Sequence, residues 1–274
     1  MTRNSDEIRR HYEGADDAAG LVAGIAAAIE GLGRSVTTTQ LAALDQFHVR
    51  GLAATIDLGK LLEIASGDEV LDAGSGLGGP SRALAEIHGC RVTGVDLSPA
   101  YVNIATMLAE QTGLHRLVTY LVGNLLALDF PDQTFDVVYT QHVVMNIGDR
   151  ERVYRGIRRV LKPTGRFGFY DVLAVDGRPE PLYPLPWAQT AETSFLLTEE
   201  ETRSALHQAG LTPEVWTDVT AEALAWFGQP RSPAASLNLS AVMGPRFGQM
   251  TANLARNLAE GRLRLVMARC LPQA

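Results

Sequence analysis

Apolar residues recur along the chain in two rhythms, one helical and one extended. Leu21, Val22, Ile25 and Ile29 fall at helical spacing around an alanine-rich stretch, Ala15 to Ala28. They predict an amphipathic helix ending near Gly31 or Gly33. A second helix is predicted over Leu52–Leu62, closed by Ser66-Gly67-Asp68. From there short β-rich runs alternate with helical segments. Glu69–Asp72, Arg91–Val95, Val118–Val122, Phe135–Thr140 and Arg166–Val172 read as strands. Pro80–His88, Pro99–Thr112 and Arg150–Leu161 read as the helices between them, the last stopped by Lys162-Pro163-Thr164-Gly165. Strands separated by helices of this length mean βαβ units and a parallel sheet.

Beyond Val172 the rhythm breaks. Asp176–Trp187 holds Gly177, Pro179, Pro181, Pro184 and Pro186, too many breakers for a helix or an inner strand. A helix is predicted at Thr198–Gln208, its first turn carrying Glu199-Glu200-Glu201 where negative charge complements the helix dipole. Pro213–Thr217 and Arg262–Ala268 read as the last two strands. Between them lie Ala221–Phe227, a turn at Gln229–Pro233 and a helix around Gln249–Leu258. The expected architecture is α/β: a mostly parallel seven-stranded sheet with helices on both faces. One domain is expected, divided into an N-terminal helical lid (1–44), a core (45–172), and a cap with the C-terminal strands (173–274).

Composition narrows the functional classes. Lys plus Arg number 24 against 31 Asp plus Glu, a formal charge of −7. This acidity is the wrong sign for displacing counterions from a nucleic acid or for an anionic membrane surface. Cys90 and Cys270 are the two cysteines, too few for a disulfide scaffold or a typical structural zinc site, and both sit in apolar runs where an inert core role is expected. The opening MTRNSDEIRR has no apolar h-region, and no run of about 18 apolar residues occurs. A cytoplasmic protein handling a small molecule is expected, with neither nucleic acid nor membrane as partner and a homodimer left open.

The chemistry concentrates in Val70-Leu71-Asp72-Ala73-Gly74-Ser75-Gly76-Leu77-Gly78-Gly79-Pro80. A strand delivers an acid into a glycine-rich turn that starts a helix. Without a Cβ the backbone turns tightly and a ligand approaches it closely. The first βα turn of a parallel sheet is where nucleotide-like ligands bind. A dinucleotide site uses G-x-G-x-x-G around a pyrophosphate. Here the glycines run G-x-G-x-G-G, and Asp72 beside them repels a pyrophosphate but suits a cationic group. The second strand ends in Asp96, where an acid accepts hydrogen bonds from ribose hydroxyls. A ligand with ribose, adenine and a positive end fits both acids.

These residues resemble the class I S-adenosylmethionine-dependent methyltransferases. So do Val95-Asp96-Leu97-Ser98, Gly123-Asn124-Leu125, Phe130-Pro131-Asp132, Phe135-Asp136-Val137-Val138 and Arg159 to Gly165, in order and spacing across roughly residues 45–172. Gly78-Gly79-Pro80-Ser81-Arg82, with Asp45-Gln46-Phe47-His48 upstream, is similar to the small-molecule branch. That branch includes sarcosine/dimethylglycine, phosphoethanolamine, tocopherol and natural-product enzymes. The resemblance implies a Rossmann-like fold and S-adenosyl-L-methionine as cofactor. It implies a cofactor site from Gln46, Asp72, Gly74, Ser75, Gly76, Gly78, Asp96, Leu97, Asn124, Leu125 and Gln141. Gly74, Gly76 and Gly78 would face the methionine part, Asp72 its ammonium, Asp96 the ribose, and Leu97, Asn124 and Leu125 the adenine. Many relatives carry Asp where Asn124 stands.

Transfer from a sulfonium needs alignment, exclusion of water and, for an acidic acceptor, a base, so no metal site is expected. His142 and Asp171, at the ends of the fourth and fifth strands, are the catalytic candidates. Relatives with a catalytic histidine place it where this chain has Met145 or Asn146. His142 either replaces it or contacts the cofactor. Asp171 either lines the substrate site or caps a loop. Tyr12, Asn146, Tyr170, Trp187 and Trp226 are the substrate-wall candidates, with core packing the alternative for the aromatics. The expected reaction is methyl transfer to nitrogen or oxygen of a small metabolite or natural product. Carbon transfer, or a pericyclic or decarboxylative step in the same fold, stands as the alternative.

Overall fold

The computed structural model describes residues 36–229 and 245–273, with Ile25 and Ile29 besides. The predicted N-terminal helix, ending near Gly31 or Gly33, therefore lies outside the described residues except at Ile25 and Ile29. Ile25 and Ile29 are helical and pack with Leu41, Leu44, Tyr101 and Ile104.

In chain order the elements are α1 (Thr38–Asp45), α2 (Leu52–Leu61), β1 (Glu69–Ala73), α3 (Gly79–His88), β2 (Arg91–Asp96), α4 (Pro99–Gln111) and β3 (Val118–Val122). Then come β4 (Phe135–Gln141), a 3₁₀ turn (Val144–Asn146), α5 (Arg150–Val160), β5 (Leu161–Ala174) and a 3₁₀ turn (Ala191–Thr193). The chain closes with α6 (Glu199–Gln208), β6 (Leu211–Asp218), α7 (Thr220–Phe227), α8 (Phe247–Ala259) and β7 (Leu263–Pro272).

The strands form one seven-stranded sheet in the order β3-β2-β1-β4-β5-β7-β6. β7 runs antiparallel to β5 and β6, and the remaining pairings are parallel. The order reverses between β1 and β4, a switch point at which the loops leave in opposite directions and open a crevice. Helices cover both faces. Leu58 of α2, Leu84 of α3 and Leu258 of α8 share one apolar cluster; Tyr154 and Ile157 of α5 and Leu206 of α6 share the other.

Local chemistry sets the helix starts. Ser98 accepts the Tyr101 N–H ahead of α4, and Asp149 accepts the Arg152 N–H ahead of α5. Thr198 and Glu201 form a capping box, which makes Thr198 the cap of α6 rather than its first residue. α1 was not predicted, yet Thr37 and Gln40 form the same reciprocal cap. The last strands run longer than predicted because antiparallel pairing carries β5 to Ala174 against Leu263. Cys90 and Cys270 are buried free thiols, pushed up by burial to about 11 and about 12. Among the described residues no helix is long and apolar enough to cross a membrane.

Candidate functional site

The glycine turn is clasped to the end of β2. Gly74 and Ser75 N–H donate to Val95 O at 2.8 and 3.0 Å, and Gly76 N–H donates to Asp96 Oδ2 at 2.8 Å. Gly74 has φ 94°, and a Cβ there would lie 2.5 Å from the Val143 side chain. Gly78 (φ 73°) has a different reason: its Cβ would lie 2.3 Å from the Tyr120 hydroxyl, which donates to Gly78 O at 3.0 Å. Gly78 is thus a packing glycine, not a residue that faces the crevice.

A cavity of about 1110 Å³, part of it open to solvent, lies over the carboxyl ends of β1 to β4. Gly74, Gly76, Asp96, Leu97, Asn124 and Leu125, expected at the cofactor, line it beside β1 to β3. Gln141, His142, Asn146 and Trp187 line it on the β4 and cap side. Asp96 Oδ1 also accepts the Ser98 N–H at 2.9 Å, so its carboxylate is held at both oxygens. Asn124 Oδ1 accepts the Leu126 N–H at 2.9 Å and shapes the turn after β3.

Other predicted residues stand away from the cavity. Asp72 is buried behind the turn and accepts the Ser81 hydroxyl at 2.6 Å. Burial raises its pKa to about 6, against the pull of Ser81 and with a further push from Asp96. Ser75 is buried beside it, without lining the cavity. Tyr170 packs inward, with its ring 5.1 Å from that of His142 and 5.8 Å from that of His48. Trp226 stacks edge-on against Phe227 at 5.1 Å. Tyr12 lies outside the described residues.

A buried polar group backs the β4 side. Thr55 Oγ1 lies 2.8 Å from Gln46 Oε1, 3.1 Å from His48 Nε2 and 3.3 Å from Gln141 Oε1. Gln46 therefore belongs to the scaffold behind Gln141. Gln141 Nε2 is buried with no partner among the described residues, as is His142 Nε2. His142 has φ 53°, a strained left-handed conformation for a residue with a side chain, and donates its N–H to Tyr170 O at 2.8 Å. Burial lowers the His142 pKa well below the imidazole range, with His48 adding to the effect, and takes His48 to about 4. Both rings are neutral at pH 7.

Asp171 faces the opposite side of the sheet, toward Arg150 and Tyr154 of α5. Burial pushes its pKa up to about 7, against the pull of Arg150 and of the Val172 and Val144 amides. Arg150 in turn donates to Phe195 O at 2.8 Å, and Phe195 N–H donates to Met145 O at 2.9 Å. Asp171 thus sits under the 3₁₀ turn that carries Met145 and Asn146, not in the cavity.

Phe47, Tyr101, Met145, Pro186 and Phe247 line the cavity and were not predicted as site residues. Pro186 precedes the wall candidate Trp187 in the proline-rich stretch. Phe47 and Phe247 are contributed from opposite ends of the chain, and no local spacing connects them. Among the described residues no group of three His, Cys, Asp or Glu side chains is placed to hold a metal ion.

Residues 71–169 match the family model described as a methyltransferase domain. The chain is 40% identical over 113 residues to a sterol 24-C-methyltransferase of Gibberella zeae, covering 41% of this chain and 30% of that protein. It is 36% identical over 115 residues to the glycine/sarcosine/dimethylglycine N-methyltransferase of Actinopolyspora halophila, covering 42% of this chain and 20% of that one. The matched segment spans less than a third of either relative. Over nearly its whole length the chain is similar in fold to the geranyl diphosphate C-methyltransferase of Streptomyces coelicolor A3(2) (TM-score 0.72, 18% identity, 98% of each chain). It is likewise similar to the [4+2]-cyclase SpnF (TM-score 0.68, 19% identity, 98% of this chain and 97% of that one). The chain thus has the class I methyltransferase fold, and the family likeness is confined to its residues 71–169.

Proposed function

We propose that this chain transfers a methyl group from S-adenosylmethionine to an atom of a small molecule. The observation that carries the reading is the glycine turn clasped to Asp96 at the mouth of a large cavity. A carboxylate fixed at the end of β2, beside the glycine turn, suits ribose hydroxyls, which donate to it. Leu97 and Leu125 offer apolar faces for adenine. Gln141 Nε2, buried without a partner among the described residues, offers a donor to the bound cofactor or acceptor. These residues fit the cofactor. Asp72 acts through the turn, fixing the start of α3 by its bond to Ser81.

Bound S-adenosylmethionine supplies a methyl group activated by positive sulfur. The chain's residues then hold the acceptor in line and keep water out, which accounts for most of the acceleration such a displacement needs. His142 Nε2 takes the proton from an acceptor that loses one. Its depressed pKa keeps it neutral and ready at pH 7, while making it a weak base. Relatives named for carbon and for nitrogen transfer both resemble the chain, so nitrogen, oxygen and carbon are all carried forward as acceptor atoms.

Incubation with methyl-labelled S-adenosylmethionine and a metabolite panel tests the reading. Label in an acceptor with matching S-adenosylhomocysteine supports it. An unchanged melting temperature on adding either cofactor form would sink it.

A further inference from the structure

We infer, on the reading just proposed, that the acceptor is an uncharged, largely apolar molecule whose body lies against Met145, Ile147, Pro186, Trp187 and Phe247. The strand order carries the first part of the argument. β3, β2 and β1 end on one side of the switch point and β4 on the other. Asp96 and the glycine turn therefore occupy one end of the cleft, and the residues after β4, with the cap, occupy the other.

That second end is a built wall. Leu185 and Ala188 exchange backbone hydrogen bonds at 2.8 and 3.1 Å and pin the segment carrying Pro186 and Trp187. Asn257 of α8, fully buried, grips both the N–H and the C=O of Leu182 at 2.8 and 3.0 Å. Asn253 donates to Pro184 O at 3.0 Å. The Trp187 indole N–H is satisfied by Ser194 Oγ at 2.9 Å, so the ring offers carbon surface to the cavity. A wall held at this many points exists before a ligand arrives, and affinity then follows from the apolar area it covers.

Charge decides the rest. Among the described lining residues there is no lysine or arginine, and Asp96 is the one charged side chain. Arg150 lies nearby, but its guanidinium is spent on Phe195 O and Tyr154 on the far side of the 3₁₀ turn. A phosphate or carboxylate pressed against this wall would lose its hydration with no cation among the described lining residues to replace it. Gln141, His142 and Asn146 are the polar points on this side, the last donating to Val143 O at 3.0 Å, and Gln141 and His142 place the reacting atom at the boundary between the two ends.

The experiment uses the full chain saturated with S-adenosylhomocysteine and the uncharged fluorophore N-phenyl-1-naphthylamine. Saturable enhancement of its emission is expected, with displacement by 1-decanol at a concentration about tenfold or more below that needed with decyl phosphate, a gap of roughly 1.4 kcal/mol or more. Ile147→Asp and, separately, Phe247→Asp should weaken probe binding about tenfold or more while the S-adenosylhomocysteine-induced rise in melting temperature persists, which shows that each variant is folded. Decyl phosphate displacing the probe as well as decanol does, or probe binding untouched in a folded variant, would overturn the inference. Absence of any response to S-adenosylhomocysteine in the unaltered chain would instead remove the methyl-transfer reading beneath it.

Discussion

Arg82 Nη2 and Asp45 Oδ2 meet at 2.6 Å with both side chains sealed from water. Arg82 also donates through Nη1 to Leu77 O at 2.9 Å and Ala105 O at 3.3 Å. One guanidinium therefore ties α1, the end of the glycine turn and α4 to α3. Gly79 follows from the same contact, since a Cβ there would lie 2.5 Å from Asp45 O. Burial holds the Asp45 pKa at about 6 even with Arg82 beside it, so the pair's desolvation is not fully repaid. Removing one partner leaves an uncompensated buried charge. Arg82→Met alone should cost about 3–5 kcal/mol in denaturant unfolding. The double variant Arg82→Met with Asp45→Leu should recover a large part of that loss. A double variant no more stable than the single would show that the ion pair is not the source.

Asp96 holds the turn and faces the cavity, so its two roles separate by choice of substitution. Asp96→Ala removes both acceptors from the Gly76 and Ser98 amides and from a bound ribose. Hydrogen bonds to a charged group contribute roughly 1.5–3 kcal/mol each. S-adenosylhomocysteine affinity should fall by about 10- to 100-fold in calorimetric titration. Asp96→Asn keeps one acceptor oxygen and should fall between the two. Equal affinity in all three proteins would remove Asp96 from the cofactor site.

The succession of strands and helices was legible because glycine and proline punctuate it and because β-branched runs and helical spacings alternate. The strand ends were not, since pairing sets them: Leu161 joins β5 only through Phe135 across a bulge. α1 escaped a reading based on apolar spacing, although Thr37 and Gln40 announced its start. In the site, Asp96 and Gln141 stand at strand ends, where topology alone decides, and both line the cavity. Asp72, Gly78 and Asp171 lie just as close to the crevice in sequence, yet Asp72 turns behind the loop, Gly78 is filled by Tyr120, and Asp171 points through the sheet to α5. Which way a side chain leaves the backbone there depends on what α3, β3 and α5 pack against it, and that is long-range information.

Asp171 predicts a pH dependence whose sign is fixed. The folded chain keeps its proton up to about pH 7, whereas the unfolded chain releases it near 3.8. The folded state therefore binds more protons between those values, and this carboxyl's contribution to stability is lost as pH rises through the window. Asp171→Asn lacks the linkage. Its stability relative to the unaltered chain should improve as pH climbs from about 4 to about 7, read from denaturant midpoints at several pH values. A constant difference across the window would mean that Asp171 ionises in the folded chain as it does in water.

His142 is the group whose role one substitution, with chemical rescue, resolves. Its φ of 53° is one that glycine adopts freely, so His142→Gly relieves backbone strain while deleting the imidazole. If Nε2 takes a proton from the acceptor, turnover should drop by about 10²- to 10⁴-fold with cofactor affinity little changed. Added imidazole should restore part of the rate, saturating as the vacated space fills. The unaltered chain should hold its rate as pH falls through the ordinary imidazole range, because burial keeps His142 neutral below it. The rescued variant should lose rate near pH 6.5–7, where free imidazole becomes protonated. Loss of cofactor binding in His142→Gly, with no rescue at any imidazole concentration, would assign the residue to holding the cofactor instead.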